Sequence, residues 1–299
     1  KSSGRGSKGL SAEHSGEMRR RDFLKGVLTL PLLGIREARE DRKGEGRMKL
    51  GLVTYNLAKD WDLETIIRRC KATKFEGVEL RTTHAHGVEP SIGPERRREV
   101  RRIFEESGIK LWGLGTVCEF HSPDPNILRK NIESCKDFVI LARDVGATGV
   151  KVRPNALPAG VPEERTLEQI GNALRECGGF ASNEGVEIWL EVHGSGTSHP
   201  PRIRKIMEIC DHPSVGVCWN SNDTDLKDGS VREYFELLGP YIKSVHINEL
   251  WREEYPWREL FSLLKGIGYN RFTLAEIPES PDPERIMRYY RALWIELIR

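Results

Sequence analysis

The chain has no C-x-x-C pair, and its six cysteines, Cys70, Cys118, Cys135, Cys177, Cys210 and Cys218, lie far apart along the 299 residues. Neither a disulfide framework nor a cysteine-rich zinc module is indicated, and isolated buried thiols are the expectation. Charge of one sign is lacking too. The net charge of +2 offers little field to attract nucleic acid or an anionic membrane. No glycine-rich dinucleotide fingerprint follows the first apolar run, since "TYNLAKD" has no glycine at all. What is present, 38% hydrophobic and 31% charged residues, suits a globular protein with a well-solvated surface.

The first 47 residues differ from the rest. "KSSGRGSKGLSAEHSGE" is poor in apolar residues and is expected to be disordered. Then "RRRDFLKGVLTLPLLGI" puts Arg19, Arg20 and Arg21 ahead of Phe23-Leu24-Lys25 and a short apolar run over 26–35. The run is too short to span a bilayer but suits a signal segment. Its order resembles a twin-arginine export signal with Met18 as the start, which implies a periplasmic protein without stable membrane insertion. The alternative is a basic amphipathic helix on a cytoplasmic protein. No A-x-A site follows, and residues 36–47, "REAREDRKGEGR", read as a charged linker.

From Met48 to the end, short apolar runs alternate with stretches of helical period. The runs cover 49–55, 77–81, 109–116, 148–154, 186–192, 214–219, 242–247 and 271–277; the helical stretches cover 62–72, 94–107, 126–144, 163–183, 200–210, 230–238, 256–266 and 282–298. Pro94, Pro125, Pro200-Pro201 and Pro283 mark helix starts. "FEG", "SGI", "VGATG", "NEG" and "IGYN" each offer a glycine for a left-handed helix end. Eight βα units in about 250 residues predict a closed (β/α)8 TIM barrel over 48–299 rather than an open sheet.

Chemistry in such barrels lies at the C-terminal strand ends. Those ends carry Arg81 with His84 and His86, Glu119 with His121, Lys151 with Arg153, Glu191 with His193, Asn220 with Asp223, His246 with Asn248 and Glu249, and finally Glu276. Glu191, His246 and Glu276 sit inside the apolar stretches "WLEVH", "SVHIN" and "LAEIP". A carboxylate between Leu and Val is costly to bury unless it is paired or holds a metal. Mixed oxygen and nitrogen donors suit Mn²⁺, with Mg²⁺, Co²⁺ or Zn²⁺ as alternatives. For each residue alone, an ion pair such as Glu191 with Lys151 or Arg153 is the plainer expectation.

The segments "LEVHG", "VGVCWNSND", "IKSVHINE" and "YPWRELFSLLKGIGYNRFTLAEI" resemble the xylose isomerase-like TIM-barrel superfamily over about residues 48–298. That group includes sugar phosphate isomerases/epimerases, ketose 3-epimerases and the endonuclease IV type of repair nuclease. The resemblance implies metal ligands at Glu191, Asn220, His246 and Glu276. Epimerases of this kind carry Asp, followed shortly by His, where this chain has Asn220 and, close by, Asp223. Two ligand carboxylates instead of three predict weaker metal affinity and a stronger Lewis acid, with Asp223 as a substitute ligand or a partner of His246.

The resemblance further implies a carbohydrate substrate and proton abstraction next to a carbonyl, with Glu191 and Glu276 as acid/base groups acting through an enediolate. His84, His121, Lys151, Arg153, His193, Trp219, Asp223 and Asn248 are the candidate substrate contacts. Lys151 and Arg153 would stabilise negative charge or hold an anionic group, and Trp219 would wall a sugar ring. Competing readings are a lyase or hydrolase on a keto-glycoside, a repair nuclease, and a non-catalytic sugar-binding barrel. The low net charge and the lost acidic ligand speak against the nuclease. Oligomeric state is left open.

Overall fold

The apolar runs of the sequence become eight strands because each can be buried on both faces, against a barrel interior and a helical shell. The computed structural model of the chain describes residues 46–299. The twin-arginine-like stretch and nearly all of the charged linker lie outside the described residues. The strands are β1 (Lys49–Val53), β2 (Gly77–Arg81), β3 (Lys110–Glu119), β4 (Gly149–Arg153), β5 (Glu187–Glu191), β6 (Val215–Asn220), β7 (Ile242–Ile247) and β8 (Phe272–Ala275). They pair in parallel, in chain order, and β8 closes on β1. The helices between and after them are α1 (Leu63–Thr73), α2 (Pro94–Ser107), α3 (Pro125–Val145), α4 (Glu163–Asn183), α5 (Pro200–Cys210), α6 (Arg232–Leu238), α7 (Trp257–Gly266) and α8 (Pro283–Leu297). This is the (β/α)8 barrel that the alternation predicts. Among the described residues no helix is long and apolar enough to cross a membrane.

Local signals act where the sequence places them, with one exception. The Asp62, Asp124 and Asp282 carboxylates accept backbone N–H groups of the first turns of α1, α3 and α8. Gly108, Gly146, Gly185 and Gly268 all take positive φ just after a helix. In "FEG", however, the left-handed residue is Lys74, at φ 61°. Gly77 instead opens β2 facing inward, where a Cβ would lie 2.5 Å from the Phe272 ring.

Side chains alternate between the barrel interior and the helical layer. Ser244 and His246 of β7 point in, while Thr273 of β8 points out and accepts from the Trp294 indole of α8. The lower interior is a separate apolar cluster of Val53, Trp112, Trp189, Cys218, Phe272 and Leu274. Trp112 enters it because the pairing of β2 with β3 skips one residue, passing from Val78↔Leu111 to Glu79↔Gly113. This plug forms a floor for the residues above it.

Candidate metal centre

Two residues further along the same strands the interior becomes charged. Trp189 gives way to Glu191, Ser244 to His246 and Cys218 to Asn220, all of them buried. His246 is fully buried at the centre. Its Nε2 lies 3.2 Å from Glu79 Oε2; its Nδ1 lies 3.6 Å from Glu191 Oε1 and 3.3 Å from Glu276 Oε1. One donor atom from each of Glu191, His246 and Glu276 falls within a 4.8 Å group. Asn220 reaches the same place, with its Nδ2 donating to Glu191 Oε1 at 3.3 Å.

The protonation pattern follows from the partners. Glu79 accepts, so Nε2 carries a hydrogen, and Nδ1, which bears a lone pair whenever the ring is neutral, faces two carboxylates. A lone pair and two anions converge only with a proton or a cation between them. Burial alone would disfavour a charged ring, but Cys218, Glu79 and Glu276 outweigh it and push the His246 pKa well up. Burial also opposes ionisation of Glu191; Lys151 and His246 overcome it and hold this carboxyl well below the usual range. Lys151 is buried as well, yet the Glu191 and Glu79 charges keep its pKa raised.

A divalent cation fits this donor set. Asn220 Oδ1 and His246 Nδ1 are buried without a hydrogen-bond partner; His246 belongs to the cluster, and the Asn220 amide touches it through Nδ2. An amide oxygen and an imidazole nitrogen are ligands for such an ion, and two carboxylates complete four donors. The ion pair with Lys151 is present at the same time: Nζ donates to Glu191 Oε2 at 2.7 Å while Oε1 faces His246. The two expectations for Glu191 are therefore compatible.

The outer candidates separate into those near the centre and those placed elsewhere. His193 has Glu191, Lys151 and Arg153 as charged neighbours; burial lowers its pKa, and its Nδ1 has no partner. Arg153 donates to Glu119, which also accepts from Asn155 Nδ2 at 2.8 Å, so its charge is already matched. His121 Nδ1 lies 3.9 Å from Glu119. His84 Nδ1 is hydrogen-bonded to the Thr54 hydroxyl at 3.0 Å, and burial helped by His86 and Arg81 lowers its pKa to about 4. His86 is a loop brace, taking the Val88 N–H and donating to the Arg81 carbonyl.

Three placements differ from expectation. Trp219 points out of the barrel, fully buried against Phe235, and its indole donates to the Tyr255 hydroxyl at 3.0 Å. It cannot wall a sugar in the mouth, because neighbours on a strand face opposite ways and Asn220 faces in. Asp223 is 75% exposed and paired with Arg252 at 2.9 Å, so it neither ligates nor touches His246. Asn248 spends its amide on the Ser221 carbonyl at 3.1 Å and steadies the loop after β7.

The sequence reading missed Glu79, which is 0% exposed. It lies within "GVELR", flanked by Val78 and Leu80, the same signal that singled out Glu191 and Glu276. Its carboxylate is a third one beside the cluster, so the count of two underlying the weak-affinity expectation leaves a charge out. A cavity of about 750 Å³ opens at the opposite end of the barrel between Lys49, Lys110 and Phe272. Neither an imidazole nor a carboxylate pair lines it.

A family model described as "Xylose isomerase-like TIM barrel" matches residues 67–296. The chain belongs to this family. A comparison with the curated proteins finds no match. Among solved structures the barrel is similar to a D-psicose 3-epimerase with D-tagatose from Clostridium cellulolyticum H10, at TM-score 0.73 and 17% identity over 84% of this chain and 100% of that one. It is similar to the IOLI protein with a zinc atom, at TM-score 0.70 and 18% identity over 84% and 98%. It is also similar to a 3-keto-D-glucoside 4-epimerase from E. coli, at TM-score 0.69 and 14% identity over 84% and 99%. Identities this low speak for the fold; the chemistry has to be argued from this family member's own residues.

Proposed function

We propose that this xylose isomerase-like barrel is a divalent-metal-dependent isomerase or epimerase acting on a sugar or keto-sugar by proton transfer next to a carbonyl. The observation that carries the reading is the meeting of Glu191, from β5, and Glu276, just after β8, at Nδ1 of His246. The sugar epimerases among the similar folds support the substrate class. Glu191, Asn220, His246 and Glu276 would hold the ion, which supplies a Lewis acid for a substrate carbonyl.

The two carboxylates differ in ways that assign roles. Glu191 has one oxygen on Lys151 and the other facing Asn220 and His246, which keeps it ionised and fully engaged. Glu276 is 17% exposed and has no Lys or Arg partner among the described residues. Glu276 therefore removes the proton from the substrate carbon, and Glu191, ionised as it stands, serves the opposite face and returns a proton after taking one from the Lys151 ammonium bonded to its Oε2. His193 takes a substrate hydroxyl through the ring nitrogen that has no partner. The apolar plug below excludes bulk water, which strengthens each of these interactions.

Deuterium exchange tests this reading. With Mn²⁺ supplied, incubation with ketoses and 3-keto-glycosides in D₂O introduces deuterium at the carbon beside the carbonyl; chelation abolishes it. Absence of exchange on every substrate by the Mn²⁺-loaded protein removes the proposal. Release of a free aglycone from the keto-glycoside assigns the site to the lyase instead.

A further inference from the structure

Glu79 has features that packing does not account for. It is fully buried on β2, its Oε2 accepts only from His246 Nε2, and its Oε1 has no partner. A carboxylate held by one hydrogen bond in such a place is costly, and Leu or Met would fill the space at less expense. Strand β3 makes room for it: a Cβ on Gly115 would lie 2.7 Å from Glu79 Oε1. Lys151 is the only Lys or Arg that pairs with a carboxylate of the cluster among the described residues, and it is bonded to Glu191, not to Glu79.

Formal charges make the role specific. Glu79, Glu191 and Glu276 against Lys151 leave two negative charges, the number that one divalent cation neutralises. Asn220 contributes a neutral oxygen on β6. We propose that Glu79 is the positioning residue of the metal centre: it turns His246 Nδ1 toward the cation and carries, behind the imidazole, the negative charge absent from Asn220. The hydrogen bond to Nε2 selects the tautomer and makes Nδ1 a better donor. The charge acts through the ring without occupying a coordination position, which leaves that position to substrate. This inference rests on the metal reading above.

The test is Mn²⁺ binding by the metal-stripped full chain, followed by the electron paramagnetic resonance signal of free Mn²⁺. Glu79→Gln keeps an acceptor for Nε2 and removes the charge; it should weaken binding at least about tenfold. Asn220→Asp should tighten binding. The double variant E79Q/N220D should return to within about threefold of wild type, because a charge restored on β6 replaces the one lost on β2. A merely structural role for Glu79 would not be rescued from another strand. Wild-type-like binding by E79Q, or a double variant no tighter than E79Q, overturns the inference. Should E79Q not fold, ¹⁵N spectra of wild type with Zn²⁺ decide: His246 protonated at Nε2 supports it, and protonation at Nδ1 overturns it. Wild type that binds no Mn²⁺ overturns the metal reading together with the inference.

Discussion

The lower and upper halves of the barrel interior are built by the same strands and obey opposite rules. Below, Trp112 stacks on Trp189 with centroids 5.1 Å apart, and Phe272 tilts against Trp112 at the same distance. Glycines on the neighbouring strands make the space: a Cβ on Gly113 or Gly149 would lie 2.6 or 2.4 Å from the Trp189 rings. Above, one strand pleat further on, lie Glu79, Lys151, Glu191 and His246, all buried. Large rings are affordable below because glycines yield volume. Charges are tolerated above because they pair with one another and retain donors for a cation. The comparison teaches that a barrel interior separates stability from chemistry along the strand direction, within a rise of two residues.

Two substitutions sharpen or break that division. Glu276→Gln, at the upper end, should lower turnover on any substrate found by deuterium exchange by about a thousandfold at saturating Mn²⁺. Its thermal midpoint should stay within a few degrees of wild type; a large loss of stability with turnover retained would reverse the assignment. Trp189→Ala, at the lower end, should cost about 3–5 kcal/mol in urea unfolding through the cavity it leaves. A cost below about 1 kcal/mol would show that the plug does not carry the fold.

The smallest effect is expected outside the barrel interior. Asp225 is fully buried, with Oδ2 accepting from the Asn222 N–H at 2.7 Å and the Tyr255 hydroxyl at 3.0 Å. Burial, helped by the charge of Asp223, outweighs these two bonds, which stabilise the carboxylate, and pushes its pKa well above the usual carboxylate range. A carboxyl whose pKa rises on folding favours the fold below its unfolded value near 4 and loses that contribution as pH rises through the folded value. Asp225→Asn should therefore match wild type at about pH 4 and exceed it by about 1–2 kcal/mol at pH 8. A gap that does not change with pH would refute the shift.

Much of the site was legible because strand ends can be counted. Glu191, His246 and Glu276 stood out as charged residues in apolar runs, and the structure brings them together. Glu79 bore the same mark but sits in mid-strand, and attention to strand ends passed over it. Trp219 was misplaced although strand parity was available, since Asn220 facing in obliges its neighbour to face out. Between Asp223 and Asp225 nothing local decides. The 3₁₀ turn over Asp223–Asp225 turns the first to solvent and buries the second against Tyr255.

The sequence by itself determined the barrel, through apolar period, helix caps and the regular return of βα units, all of which are short-range properties of the chain. It also determined which residue types reach the rim. Only the tertiary structure decided which of them meet. Glu79 behind His246, Lys151 on Glu191 and Arg153 on Glu119 join residues that are 167, 40 and 34 positions apart. Such pairings depend on strand register and barrel closure, which bring distant strands within hydrogen-bond reach and leave no trace in local sequence.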